Sequence, residues 1–266
     1  MREQEIKDQL ALKAEELPKS KLTKSMNISD MIKAIEPEIK KALPAVMTPE
    51  RFTRIALNAL NTTPKLSECS QMSFLAALMN AAQLGLEVNT PLGQAYLIPY
   101  NNKGKLECQF QLGYKGMIGL AYRNPELQTI QAQAVYENDE FEYELGLNSK
   151  LIHKPTLNDR GEVKCYYALY KLKNGGYGFE VMSRKDVENY AKKYSRAADS
   201  VYSPWSSNFD SMAKKTVIKH LLKYAPLRTD LDKAMSMDES IKTHLAADMA
   251  EVENDIIIDV SEPNET

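Results

Sequence analysis

The segment SSNFDSMAKKTVIKHLLKYAP (residues 206–226) carries the most pointed chemistry in the chain. Wound as a helix, it places Lys215, Lys219 and Lys223 in one stripe and Met212, Val217, Ile218, Leu221 and Leu222 on the other side. Ammonium groups one turn apart, about 6 Å, come close to the spacing of phosphates along a strand. Each one that displaces a condensed counterion adds salt-dependent affinity for a polyanion. The bland alternative for such a stripe is a solvated face. The neighbourhood is basic as well. Arg184, Lys185, Lys192, Lys193, Arg196, Lys214, Lys215, Lys219 and Lys223 stand against Asp186, Glu188, Asp199 and Asp210. Trp205, the only tryptophan, lies in the polar loop between two basic helices, where it suits base stacking or plugs the edge of a core.

A second segment, QLGYKGMIGLAYR, repeats glycine at Gly113, Gly116 and Gly119. Each helical glycine costs about 1 kcal/mol relative to alanine, a cost tolerated where backbone must approach something closely. Lys115, Gly119 and Arg123 share one face, a smooth surface flanked by cations that could seat a phosphate backbone; close helix–sheet packing is the alternative. The spacing G-x-x-G-x-x-G is not a dinucleotide fingerprint. No G-x-x-x-x-G-K-[ST] occurs, which argues against a P-loop ATPase. A third cluster, Asp139-Glu140-Phe141-Glu142-Tyr143-Glu144 followed by Glu162-Val163-Lys164, has the acid-then-E-x-K order of metal-dependent nucleases. Glu140, Glu162 and Lys164 therefore define the alternative function, against the commonplace reading of a solvated strand face. Cys69, Cys108 and Cys165 are too scattered for a disulfide framework or a zinc site. No Ser/His/Asp or Cys/His grouping stands out.

The elements that must position these residues follow from pattern. A helix is expected from Ser29 as N-cap, kinked or restarted at Pro37. Thr48-Pro49-Glu50 opens a second, to about Asn61. A third, from about Ser70, stops at Gly85, a natural C′ residue. Alternation then predicts strands over 94–100 and 106–112 around the turn 101–104, with Glu107, Gln109 and Gln111 facing away from the apolar side. A short helix over 114–123 precedes strands at 129–136, 141–145, 150–154, 162–172 and 177–182, read as one extended sheet. Ser183 and Asp186 make a capping box for the next helix, and the last firm helix runs over 208–224, ending before Pro226. The expected class is α+β: a helical N-terminal part, a central bent antiparallel sheet, basic C-terminal helices packed on it and a disordered acidic tail. The expected boundaries are an N-terminal arm at 1–28, one core domain at 29–238 and a flexible tail at 239–266.

Bulk properties narrow the class. Of 36 acids, seven fall in 248–266, where there is no base; the 34 bases then outnumber the remaining 29 acids. An acidic tail on a basic body recurs in proteins that handle nucleic acid, though a merely solvated terminus is an equal alternative. No apolar run reaches about 18 residues, and the start MREQEIKDQL lacks the apolar stretch of a secretory signal, so a cytoplasmic location is expected.

Four segments in order and spacing resemble the RecT family of phage single-strand annealing proteins: LGLEVNTPLGQAYLIPYNNKG, CQFQLGYKGMIGLAYR, His153-Lys154-Pro155, and Trp205 through NFDSMAKKTVIKHLLKYAPL. The resemblance spans about residues 50–230 and leans toward members from phages of Gram-positive bacteria. It implies annealing of single-stranded DNA without ATP or other cofactor, Mg²⁺ being at most modulatory, in a bacterial cytoplasm. It also implies ring or helical homo-oligomers, single strand and nascent duplex as ligands, a partner exonuclease, host single-strand binding protein as a further partner, and no membrane. Carried onto this chain, the basic groove is expected to use Tyr114, Lys115 and Arg123 from the glycine helix and Asn208, Lys214, Lys215 and Lys219 from the last helix. Arg196 and Trp205 belong to the loop before it, and Lys103 with the His153-Lys154 pair forms a second line.

Overall fold

The computed structural model describes residues 27–45, 47–195, 203–225 and 229–255. The expected arm at 1–28 lies almost wholly outside the described residues. Among the described residues the chain divides into two compact units, one up to residue 112 and again from 233, the other from 113 to 232.

The first unit opens with helices α1 (Ile28–Ala34), α2 (Glu36–Ala42), α3 (Pro49–Thr62) and α4 (Gln71–Leu84), with a 3₁₀ turn at Pro64–Glu68 between the last two. Asn27, not Ser29, caps α1, its side-chain oxygen accepting from the Asp30 N–H at 2.8 Å. Pro37 restarts the chain rather than bending it: α1 ends at Ala34, Ile35 caps both helices and Pro37 occupies the first turn of α2. Thr48 caps α3 with Pro49 at its start. Ser70 caps α4, which ends at Gly85 in the left-handed region (φ 60°). Eleven of its fourteen residues are buried, so α4 is the unit's central helix.

It packs on a hairpin of β1 (Ala95–Asn102) and β2 (Lys105–Leu112), turned at Lys103 and Gly104, both at positive φ. The side of β2 expected to face solvent does not: Glu107 and Gln111 are buried. Residues 238–255 account for the difference by returning against this strand. Phe110 N–H donates to the Ser240 carbonyl and Leu112 N–H to Asp238, while the Asn102 side chain donates to the Asp255 carbonyl. Ser240, Ile241, Lys242 and Met249 are buried, so residues 239–255 of the expected flexible tail are packed; 256–266 lie outside the described residues.

The second unit contains α5 (Tyr114–Ala121), β3 (Leu127–Tyr136), β4 (Glu140–Glu144), β5 (Lys150–Lys154), β6 (Val163–Leu172), β7 (Tyr177–Ser183), α6 (Arg184–Tyr194), α7 (Pro204–Ser207) and α8 (Phe209–Leu222). The last helix, α9 (Thr229–Met237), follows α8 and runs across the division between the units. The α+β class therefore holds, with one change in the sheet. Strands β3, β6 and β7 form an antiparallel sheet in the order β3-β6-β7, whereas β4 and β5 pair only with each other. The sheet's two faces are both used. Tyr166 and Ala168 turn toward α8, and the Tyr166 hydroxyl donates to Asp210 at 2.5 Å. Val135, Cys165 and Tyr167 turn the other way and receive Phe141 and Leu151 from the β4–β5 hairpin. Folding the hairpin over the sheet buries apolar area that an in-plane extension would leave wet.

Candidate nucleic-acid interface

Helix α8 is central to the second unit, packing on the sheet and against α5, α6 and α7. Its surroundings correct the expected lysine stripe. Lys215 is only 3% exposed, Lys214 and Lys219 are half-buried, and Lys223 alone is open to solvent. The reason lies within the helix. Met212 and Leu222 project into the same sector as the lysines, so the apolar residues do not keep to one side. All of Met212, Ala213, Thr216, Val217, Ile218, Leu221 and Leu222 are buried, which encloses Lys215 with them.

A cationic surface does form where α6 meets α8. Arg184 at the start of α6 lies over Phe209 at the start of α8 (5.6 Å), and Tyr190 meets His220 edge-on near their ends (5.4 Å). The two helices thus run side by side in the same direction. Their final turns bring exposed Lys192, Lys193 and Lys223 and half-buried Lys219 into one neighbourhood. Two tyrosines accompany them: Tyr194 is 62% exposed and Tyr224 85%. Lys193 Nζ is 5.2 Å from the Tyr194 ring centre. Burial lowers the His220 pKa, with Lys223 and Lys219 adding to the effect and Glu180 opposing it, as expected beside concentrated positive charge. Cations interleaved with accessible aromatic rings can hold a phosphate backbone and stack bases without reading sequence.

On α5, Lys115, Gly119 and Arg123 are all exposed, Arg123 just past the helix end, and Tyr114 is half-buried. A methyl group built on Gly119 meets no atom within 4 Å, so this glycine is not required by packing.

Other expected contacts are placed differently. Trp205 is 8% exposed and packs edge-on against Phe209 at 5.8 Å; it plugs the α7–α8 corner and offers no face to a base. Asn208 is exposed at the start of α8. His153 is enclosed. Its Nε2 lies 3.0 Å from Asp139 and its Nδ1 3.3 Å from the Tyr167 hydroxyl, so it is a structural group rather than a surface contact. Lys154 is exposed but paired with Glu140 at 2.5 Å, which raises its pKa. Lys103 is exposed at the β1–β2 turn of the first unit. Arg196 lies outside the described residues.

Sequence reasoning missed the group that encloses His153. Asp139 has no exposed side chain; it accepts from Arg160 (3.0 and 2.5 Å), from His153, and from the Tyr136 and Thr156 N–H groups. The Arg160 guanidinium first, then these other donors, hold its carboxyl well below the usual 3.8 against the opposing effect of burial. Asp139 opens the acidic run, yet only the fold shows that it turns inward while the glutamates after it face out. The exposed Tyr194 and Tyr224, flanked by lysines in sequence, were the signal available for the α6–α8 surface.

The nuclease alternative finds no support in this geometry. Glu140 pairs with Lys154, and Glu162 lies 3.4 Å from Arg184. Among the described residues no group of three His, Cys, Asp or Glu could hold a metal ion. Lys164 instead lines a groove of about 630 Å³ between the β4–β5 hairpin and the sheet, with Lys150, Glu142 and Glu144. Two acids against two bases give a polyanion no net attraction there. No helix among the described residues is long and apolar enough to cross a membrane.

Comparison with known proteins agrees with the earlier resemblance and extends it. Residues 50–255 match the RecT family. The chain is 43% identical to Protein RecT of Escherichia coli (strain K12) over 220 residues, 79% of this chain and 81% of that protein. It is 30% identical to Uncharacterized protein YqaK of Bacillus subtilis (strain 168) over 215 residues, 80% of this chain and 72% of that one. Of these two the Escherichia coli protein is the more similar. The matched range also takes in residues 239–255, which the packing had already joined to the first unit.

Proposed function

This chain belongs to the RecT family, a family of single-strand annealing proteins of DNA recombination, and we propose that it anneals complementary DNA strands without ATP, as an oligomer along the strand. The observation that carries this reading is the surface at the ends of α6 and α8, which carries Lys192, Lys193, Lys219 and Lys223 together with the exposed Tyr194 and Tyr224, Lys193 lying 5.2 Å from the Tyr194 ring. Annealing asks for little covalent chemistry. Two strands repel through their phosphates, and stacking returns about 1.4 kcal/mol per step once register is found. A protein that neutralises backbone charge while leaving base edges open lowers the first barrier and keeps the second gain. Lys115 and Arg123, beside the unencumbered Gly119 backbone, extend the same role on α5.

Each protomer covers few nucleotides, so affinity accrues by avidity between neighbours on one strand. No nucleotide or metal takes part in the step. A partner exonuclease supplies the single strand, with host single-strand binding protein as a further partner, in the bacterial cytoplasm. The decisive experiment mixes complementary oligonucleotides with the full chain, no nucleotide and excess chelator. Accelerated annealing is expected, falling steeply with salt; a rate equal to that of the DNA alone defeats the proposal.

A further inference from the structure

Strand edges are treated differently in the two units. In the first, both edges of the hairpin are taken up along much of their length. On β2, the Leu106 carbonyl accepts from Ser70 N–H, Cys108 N–H donates to the Ser73 hydroxyl, Phe110 N–H to the Ser240 carbonyl and Leu112 N–H to Asp238. On β1, the Asn89 side chain pairs with both the N–H and the carbonyl of Leu97, and Pro99 has no donor to leave open. The β4–β5 hairpin is short and studded with Glu140, Glu142, Glu144, Lys150 and Lys154, charges that discourage strand addition.

The three-stranded sheet of the second unit is guarded only at the ends of β3, where Tyr122 takes the Ile130 N–H and Asp139 the Tyr136 N–H. The register joins Gln131, Gln133 and Val135 to β6, which turns the peptide groups of Ile130, Ala132 and Ala134 outward. The Tyr122 hydroxyl takes the Ile130 N–H. Those of Ala132 and Ala134 have no hydrogen-bond partner among the described residues. On the opposite edge Gly178, Glu180 and Met182 bond to β6, and Phe179 and Val181 turn outward, also without partner. Strand β3 carries no proline and no charge. The one charge of β7, Glu180, turns inward, 4.0 Å from His220. A proline-free pair of edges on one sheet, whose single charge points off the edge toward His220, is an open template.

We propose that this sheet is the assembly surface: β7 of one protomer pairs with β3 of the next. Both strands run antiparallel to β6, hence parallel to each other, so a second copy in the same orientation meets the first in a parallel pairing. The contact uses different edges on the two partners, and a heterologous contact of that kind grows into an open filament or a ring. The alternative, β7 on β7 or β3 on β3, is antiparallel and stops at a dimer. The inference rests on the oligomeric part of the proposed function and names the surface that performs it.

Cysteine pairing tests it. Gln131, Gln133, Phe179 and Tyr177 all project from the sheet face that carries Tyr167 and Leu169, and the three native cysteines are buried. Neighbouring strands lie about 4.8 Å apart, within the Cα separation a disulfide accepts. Gln131→Cys or Gln133→Cys chains are mixed with Tyr177→Cys or Phe179→Cys chains on long oligothymidylate under mild oxidation, so that all four registers are sampled, while light scattering follows assembly. Cross-linked pairs only in mixtures, and ladders when one chain carries both substitutions, are expected. Dimers from a single variant alone would overturn the head-to-tail pairing. Assembly without any cross-link would overturn the edge inference and leave the oligomeric reading standing. No assembly on DNA would defeat both.

Discussion

At Asp139 five donors converge on one buried carboxylate, from positions up to 21 residues away from it in sequence. Removing that carboxylate leaves the Tyr136 and Thr156 N–H groups, His153 and the Arg160 fork without their acceptor. Asp139→Ala should therefore destabilise the second unit by roughly 2–3 kcal/mol, read as a lower urea midpoint. The pH dependence has a definite sign. A carboxyl whose folded pKa lies below its ordinary 3.8 contributes stability above that value and loses it as pH falls toward the folded pKa. The gap between wild type and variant should thus be full at pH 7 and shrink below about pH 4; a gap that stays constant would remove the linkage. Gly119 offers the converse case. Gly119→Ala adds a methyl that meets nothing and should stabilise the helix by up to about 1 kcal/mol. If a phosphate backbone approaches there, the same change weakens DNA binding several-fold. Stabilisation with unchanged binding would take α5 out of the interface.

Helices were legible wherever a local signal sufficed. Thr48-Pro49, Ser70 with Gly85, and the Ser183–Asp186 capping box each fixed an end, because caps act within four residues. Sheet partners were less so. The alternation in Phe141–Tyr143 and Leu151–His153 marked strands correctly, but alternation does not say whether a hairpin extends a sheet or folds over it. The candidate site divides along the same line. Lys115, Arg123 and Lys223 are exposed as their helical positions suggested. Lys215 is not, because α8 is enclosed from several sides and a helical wheel assumes one buried face. The two lysines therefore separate by effect. Lys223→Ala, with Lys192→Ala and Lys193→Ala, should leave the melting temperature nearly unchanged and reduce the slope of log affinity against log salt by about one per lysine in contact. Lys215→Ala should lower the melting temperature by several degrees. Filter binding across a salt series, beside thermal unfolding, distinguishes them; a slope that moves only with Lys215 would invert the assignment.

Across the whole chain, charge and packing part company in residues 239–255. The composition of 248–266 is that of a solvated tail, yet Ile241 and Met249 are fully buried in the first unit, and Asp248 forms an ion pair with Lys233. The Met249 N–H donates to Gln83 at 2.9 Å, and Gln83 returns a bond of 2.9 Å to the Ala247 carbonyl. Acidic surface residues set the charge while two apolar side chains and a few backbone bonds set the fold, and a composition count sees only the first. Truncation separates the two. Ending the chain after Asp255 keeps every described contact of residues 239–255 and serves as the reference. Ending it after Glu239 uncovers the edge of β2 and exposes the sites of Ile241 and Met249, each worth about 1.5–3 kcal/mol buried. Loss of some 3–6 kcal/mol by that sum exceeds the margin of many domains, so the shorter chain should unfold at low urea or fail to accumulate. Equal midpoints for the two truncations would show that residues 240–255 lie on the surface of the first unit without holding it together.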